Sequence, residues 1–248
     1  MNRWRAWWPP TMPPAASRPE TGMAKIDVNC SRMSRQTELA ERAPQRHCVR
    51  VRMLGLMPKR GRCAEIGVWD GKFSQVILDE TDPVELVLID PWDLLADGGE
   101  ESFVHSKWGD TGQMGAMHSE VAAAYGHLPQ VDLRKGYSVP VLESYPDGYF
   151  DWIYIDGNHR YEHVLADLRI AARKLRTGGI IAGDDFFWKQ DERLHVRDAV
   201  LNFLEEVGYG RKLAVLPKNG PLEGPVKAPS RLGQQFMIPV GEAVRARL

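Results

Sequence analysis

From Arg62 onward the chain alternates short apolar runs with stretches of helical periodicity, and this alternation constrains its fold more than any other feature. RCAEIGVW reads as a short buried strand ending in glycine, and GKFSQVILDE follows with Phe73, Val76 and Ile77 at helical spacing. PVELVLID is nearly continuous and β-rich, as a strand covered on both faces requires. VDLRKG, DWIYID and GGIIAGDD are further runs closed by polar residues or glycine. Between the last two, YEHVLADLRIAARKLR aligns Val164, Leu165, Leu168, Ala171, Ala172 and Leu175 in one stripe, with Gly178 placed to stop the helix. A helix over RLHVRDAVLNFLEEVG precedes two closing strands, RKLAVLP and GQQFMIPV, joined without a helix by a Pro/Gly-rich loop from Lys218 to Gly233. Strands separated by helices of about 10–15 residues make parallel βαβ units. The predicted fold class is α/β: a doubly wound, seven-stranded, mostly parallel sheet with a C-terminal antiparallel hairpin.

At 248 residues the chain can bury a core without disulfide or metal staples. No run of about 18 apolar residues occurs, which argues against a transmembrane helix and a membrane partner. Three sparse cysteines, Cys30, Cys48 and Cys63, fit a reducing cytoplasm better than a disulfide framework. The net charge of -1 hides an imbalance: residues 1–60 carry 12 Lys and Arg against 4 Asp and Glu, and the remainder is acidic. Arg3 and Arg5 precede a Trp pair as in a signal peptide, but Pro9 and Pro10 end the apolar run too early. Residues 1–35 are therefore expected to be a disordered basic arm, with Met23 an alternative start, 36–242 the folded domain and 243–248 a tail. Binding of RNA or membrane by the arm is the less favoured reading.

In an open α/β sheet, ligands sit beyond the C-terminal strand ends, near the switch point. Ala64-Glu65-Ile66-Gly67-Val68-Trp69-Asp70-Gly71 is an E-x-G-x-x-x-G turn between strand and helix. Gly67 and Gly71 permit close backbone approach, and the helix amides beyond them can meet a polar ligand. Glu65 stands where dinucleotide enzymes have their first glycine, so an amino-bearing ligand suits the turn better than a pyrophosphate. A plain strand-to-helix turn remains the alternative. Asp90 closes the next strand, where a carboxylate can accept from both ribose hydroxyls; a helix N-cap is the competing role. Trp92, directly beyond it, is the candidate to flank an adenosine. Ser138, in RKGYS, could meet an adenine edge or cap the following helix.

AEIGVWDGKFS, LVLIDPWD, KGYS, DWIYIDGNHRYEHVLADL, GGIIAGDDF and GQQFMI together resemble the class I S-adenosylmethionine methyltransferases. They resemble most closely the bacterial small-molecule O-methyltransferases with an IDGNH-type fourth strand, over about Arg62 to Val240. The ordered set IDPW, YIDGNH and GDD is the specific part. The resemblance implies S-adenosylmethionine as cofactor. It also implies that Glu65, Gly67, Val68 and Gly71 contact the methionine portion and that Asp90 holds the ribose.

Asp156 ends the fourth strand, and Asp184 and Asp185 end the fifth. If these strands are neighbours, three carboxylates crowd one mouth, which calls for a cation. Hard oxygen ligands suit Mg2+, Ca2+ or Mn2+. In metal-dependent O-methyltransferases of similar pattern the matching carboxylates bind Mg2+, so the resemblance implies Asp156, Asp184 and Asp185 as ligands. The bland reading keeps DGNH as a turn and Asp185 as a helix cap. His159 is a candidate general base beside Asp156, or else a loop-orienting side chain. His163 and His195 read as structural or solvated, and Trp69 and Trp152 as core. The long insert after Asp90, with His105, Trp108 and Met114, is a candidate substrate lid, followed by a crossover helix around His118–His127. The expected partner is a small-molecule hydroxyl acceptor, with a second copy of the chain a further candidate and nucleic acid not favoured. The rival functions are a nicotinamide-dependent oxidoreductase, a metal-dependent hydroxylase-like relative, an amino-group methyltransferase and a non-catalytic nucleoside binder.

Overall fold

In the computed structural model, which describes residues 44–93, 111–208, 213–216, 235–245 and 247, the apolar runs become strands of one sheet. They are β1 (Arg62–Ile66), β2 (Glu85–Asp90), β3 (Val131–Lys135), β4 (Phe150–Ile155), β5 (Leu175–Gly183), β6 (Ala214–Leu216) and β7 (Gln235–Val240), in the order β3-β2-β1-β4-β5-β7-β6. Six have five or more residues, and β6 is a three-residue edge strand. β1 pairs in parallel with both β2 and β4, so the chain winds outward from it in two directions. The crevice between β1 and β4 is thus the switch point. β7 runs antiparallel to both β5 and β6.

The period-2 alternation of each strand divides the core in two. Ala64, Ile66, Val87, Ile89, Ile153 and Ile155 face one side. There they pack against α4 (Ser138–Glu143), α5 (Tyr161–Lys174), α6 (His195–Glu206) and α7 (Glu242–Arg245). Cys63, Leu86, Leu88, Trp152 and Tyr154 face the other, under α1 (Pro44–Leu54), α2 (Lys72–Thr81) and α3 (Thr111–Tyr125). All of these strand residues are at most 4% exposed, so each contributes close to its full transfer free energy, about 1.5–3 kcal/mol for a large side chain.

Several expectations change. α5 ends at Lys174 and β5 starts at once with Leu175, so Gly178 does not stop the helix. Its φ of +82° serves an irregularity in β5, where the register against β4 shifts between Phe150 and Trp152. Met114, expected in a lid, is 2% exposed in α3 and belongs to the core, whereas His105 and Trp108 lie outside the described residues. The arm at 1–35 also lies outside them. The tail expected from residue 243 begins as helix, with Val244 fully buried in α7. α1, unmarked by any motif, buries Val49, Met53 and Leu54.

Candidate active site

The turn after β1 is built by packing before any ligand arrives. A Cβ on Gly67, whose φ is +87°, would lie 2.2 Å from the Asp156 carbonyl oxygen, so only glycine lets the β1 and β4 ends come together. Gly71 has φ +74°, and a Cβ there would lie 2.6 Å from the Tyr125 ring, whose hydroxyl donates to the Gly71 carbonyl at 2.8 Å. Glu65 is 1% exposed and accepts the Ser74 hydroxyl at 2.5 Å. Burial pushes its carboxyl up to about 8, while Ser74 and the Arg50 charge pull the other way.

Asp90 closes this turn. Its Oδ2 accepts the Val68 and Trp69 N–H groups at 3.0 Å each, and its Oδ1 accepts the Trp92 N–H at 2.7 Å. Trp69 and Trp92 both have positive φ, +56° and +43°, a conformation that bulky residues hold only when their surroundings fix it. Trp92, expected to flank an adenosine, is 3% exposed. Its indole N–H donates to the Trp69 carbonyl at 3.0 Å and its ring packs on His118 at 4.7 Å, so it fastens the turn from within the core. Ser138 neither caps α4 nor offers its hydroxyl outward: the hydroxyl donates to buried Asp167 on α5, whose carboxyl burial raises to about 7. Trp152 is core as expected, while Trp69 is only partly buried.

Beside the turn, the ends of β4 and β5 bring Asp156, His159 and Asp185 together, with one ligand atom from each within 4.8 Å of the others. His159 Nε2 lies 3.4 Å from Asp156 Oδ1 and 3.7 Å from Asp185 Oδ2, and its ring packs 5.2 Å from that of Trp188. Burial disfavours its cation, but the hydrogen bond to Asp156 and the charges of Asp156, Asp185 and Asp184 outweigh this and raise its pKa. Asp185 caps no helix: its carbonyl accepts the Trp188 N–H at 2.7 Å in a turn, with φ +53°.

Asp184 departs from the expected trio. It is 1% exposed and faces Arg50 of α1, which binds it through Nε at 3.2 Å and through Nη2. The same Nη2 binds Asp156 Oδ2. Gln235 donates to Asp184 Oδ1 and accepts the Tyr154 hydroxyl at 2.7 Å, tying β7 and β4 into the network. The guanidinium lies over the Phe73 ring at 4.6 Å and near that of Tyr154 at 5.7 Å. The sequence holds no local signal for Arg50, because it is one of several arginines in PQRHCVRVRML and only the fold brings it to the sheet ends.

Residues 64–186 match a family model described as a methyltransferase domain. An uncharacterised protein of Acanthamoeba polyphaga mimivirus is 27% identical over 154 residues, 59% of this chain. The chain spans 61% of that curated relative's length. A solved protein of Corynebacterium glutamicum superposes with a TM-score of 0.51 at 15% identity, covering 88% of this chain and 92% of its own. A Staphylococcus aureus structure described as a caffeoyl-CoA O-methyltransferase gives 0.50 at 14% identity, over 86% and 92%. A Clostridium thermocellum structure described as an rRNA methylase gives 0.50 at 14% identity, over 77% and 94%. These structural likenesses concern the fold. No helix among the described residues is long and apolar enough to cross a membrane. With the family match spanning the turn after β1, Asp90 and the strand-end carboxylates, the chain carries a class I S-adenosylmethionine-dependent methyltransferase domain.

Proposed function

We propose that the chain transfers the methyl group of S-adenosylmethionine to a hydroxyl of a small molecule, assisted by a divalent cation. The observation that carries this reading is the convergence of Asp156, His159 and Asp185 beside the Gly67 turn. The cofactor fits the turn's chemistry. Glu65 can receive a cationic amine once it gives up its proton, and Asp90 Oδ1 accepts one hydrogen bond where it has room for two, leaving capacity for a ribose hydroxyl. Bound, S-adenosylmethionine supplies an electrophilic methyl group, and the chain's task is to align an acceptor oxygen with it. A nicotinamide dinucleotide is disfavoured because Glu65 would face its pyrophosphate.

Asp156, His159 and Asp185 would hold the cation, which would lower the acceptor hydroxyl's pKa. Two carboxylates and one imidazole admit Mn2+ beside the Mg2+ that three carboxylates would favour, and Arg50 already neutralises Asp184. Calorimetry with S-adenosylhomocysteine and with NAD tests the cofactor; Mn2+ and Mg2+ titrations of wild type and Asp185→Asn test the site. Cation binding that Asp185→Asn abolishes is the expected result. Full turnover in chelator would overturn the metal and leave His159 as the group that takes the acceptor's proton.

A further inference from the structure

Asp184 has no oxygen to spare for a cation. An ionised carboxylate offers about four lone-pair sites. Four donors meet those of Asp184: the Asp185 N–H at 2.8 Å and the Gln235 amide on Oδ1, and Arg50 Nε at 3.2 Å and Nη2 at 2.5 Å on Oδ2. Its side chain has no exposed surface. Asp156 is held differently. Its Oδ2 accepts the same Arg50 Nη2, whereas its Oδ1 faces His159 Nε2 at 3.4 Å. The ligand atoms that converge to within 4.8 Å of one another belong to Asp156, His159 and Asp185, each only partly buried. One arginine thus divides the acidic cluster into a closed half and an open half.

We propose that Arg50 is a positioning residue for the cation: it withholds Asp184 from the coordination sphere and leaves one oxygen of Asp156 for it, so that His159 becomes the third ligand. The assignment rests on the proposed metal-assisted reaction and adds which carboxylate is kept out, and by what. The arginine is well fixed for this task. Its planar fork lies over the Phe73 ring at 4.6 Å, and α1, which carries it, buries Val49 and Met53. Releasing Asp184 would strand a buried carboxylate, so the pair opens only if another cation takes the place of the guanidinium. Arg50 also sets a positive charge one carboxylate away from the cation, which weakens cation binding. The gain is chemical. A divalent ion held by two carboxylates and a neutral imidazole forms a neutral complex, whereas a third carboxylate would make it anionic. The neutral complex withdraws more charge from an acceptor hydroxyl and so lowers its pKa further.

Calorimetric titration of Mn2+ into the full chain, without cofactor or acceptor, tests this. Arg50→Met should bind Mn2+ about 10–100-fold more tightly than wild type, because a like charge is gone and Asp184 is freed. Asp184→Asn alone should leave Mn2+ affinity within about twofold, and combined with Arg50→Met it should cancel the gain. An arginine that merely braced the strand ends would lower affinity on removal, so a gain is diagnostic. Unchanged or weaker Mn2+ binding in a folded Arg50→Met variant overturns the proposal, as does loss of binding in a folded Asp184→Asn variant. Should neither variant fold, anomalous diffraction from wild-type crystals soaked in Mn2+ decides. A peak among Asp156, His159 and Asp185, with Arg50 still on Asp184, supports the assignment; a peak on Asp184 overturns it. A wild type that binds no Mn2+ overturns the metal-assisted reading and this assignment with it, whereas one that binds it through Asp184 overturns this assignment alone.

Discussion

Asp90 illustrates how a residue read as a ligand contact can first be a structural one. Three backbone N–H groups converge on its carboxylate, two of them from tryptophans with positive φ. Asp90→Ala would strand these donors, so a stability loss of about 2–4 kcal/mol in urea unfolding is expected, together with weaker S-adenosylhomocysteine binding. Asp90→Asn, which keeps one acceptor oxygen, should lose less stability; an alanine variant as stable as wild type would contradict the network. Asp167 gives the opposite case. Burial raises its carboxyl to about 7, and the Ser138 hydroxyl only partly offsets this. A carboxyl raised on folding contributes most below its unfolded pKa of about 3.9 and loses that contribution as pH climbs towards 7. Asp167→Asn retains an acceptor for Ser138 and removes the titration. It should therefore melt higher than wild type at pH 8, with the advantage shrinking towards pH 4. A melting difference independent of pH would rule out the buried charge as the cause.

At the scale of elements, the strands were legible because covered strands are short apolar runs, and α5 was legible because its stripe repeats at helical spacing. Val164, Leu165, Leu168, Ala171 and Ala172 are buried on α5 as read, while Leu175, also buried, opens β5 instead. α1 was not legible. Arginines at 46, 50 and 52 interrupt its apolar positions, and it forms because Val49, Met53 and Leu54 find the sheet face rather than because its own pattern is strong. The site divided in the same way. Glu65, Gly67, Asp90, Asp156 and Asp185 each stand at a strand end, which sequence order reveals. Asp184 and Ser138 have partners that sequence order hides, because Arg50 and Asp167 are distant from them in the chain. Met53 lies one turn beyond Arg50 and is fully buried, so it tests whether packing on the sheet holds α1 in place. Met53→Ala should cost about 2–5 kcal/mol in stability, measured by urea unfolding. A variant as stable as wild type would mean that this face of α1 contributes little to the core.

For the molecule as a whole, folding, protonation and cofactor binding meet at Glu65. Burial pushes its carboxyl up to about 8 from an ordinary 4.5, so the protonated form is favoured by folding. Glu65 therefore contributes most to stability below 4.5, and that contribution declines as pH rises towards 8. A cationic amine needs the ionised form, so binding S-adenosylhomocysteine below pH 8 must release a proton from Glu65 and draw its pKa down. Affinity should therefore increase from pH 6 to pH 8, and the ligand should raise the melting temperature more at pH 8 than at pH 6. At 100 times its dissociation constant the ligand stabilises by about 2.7 kcal/mol, so a tenfold gain in affinity at fixed ligand adds about 1.4 kcal/mol, enough to resolve in a melting curve. Calorimetry in buffers of different ionisation enthalpy counts the proton, and Glu65→Gln should abolish both its release and the pH dependence. Release of no proton at pH 6–7 in wild type would mean that Glu65 is already ionised in the empty site, and that Ser74 and Arg50 together outweigh its burial.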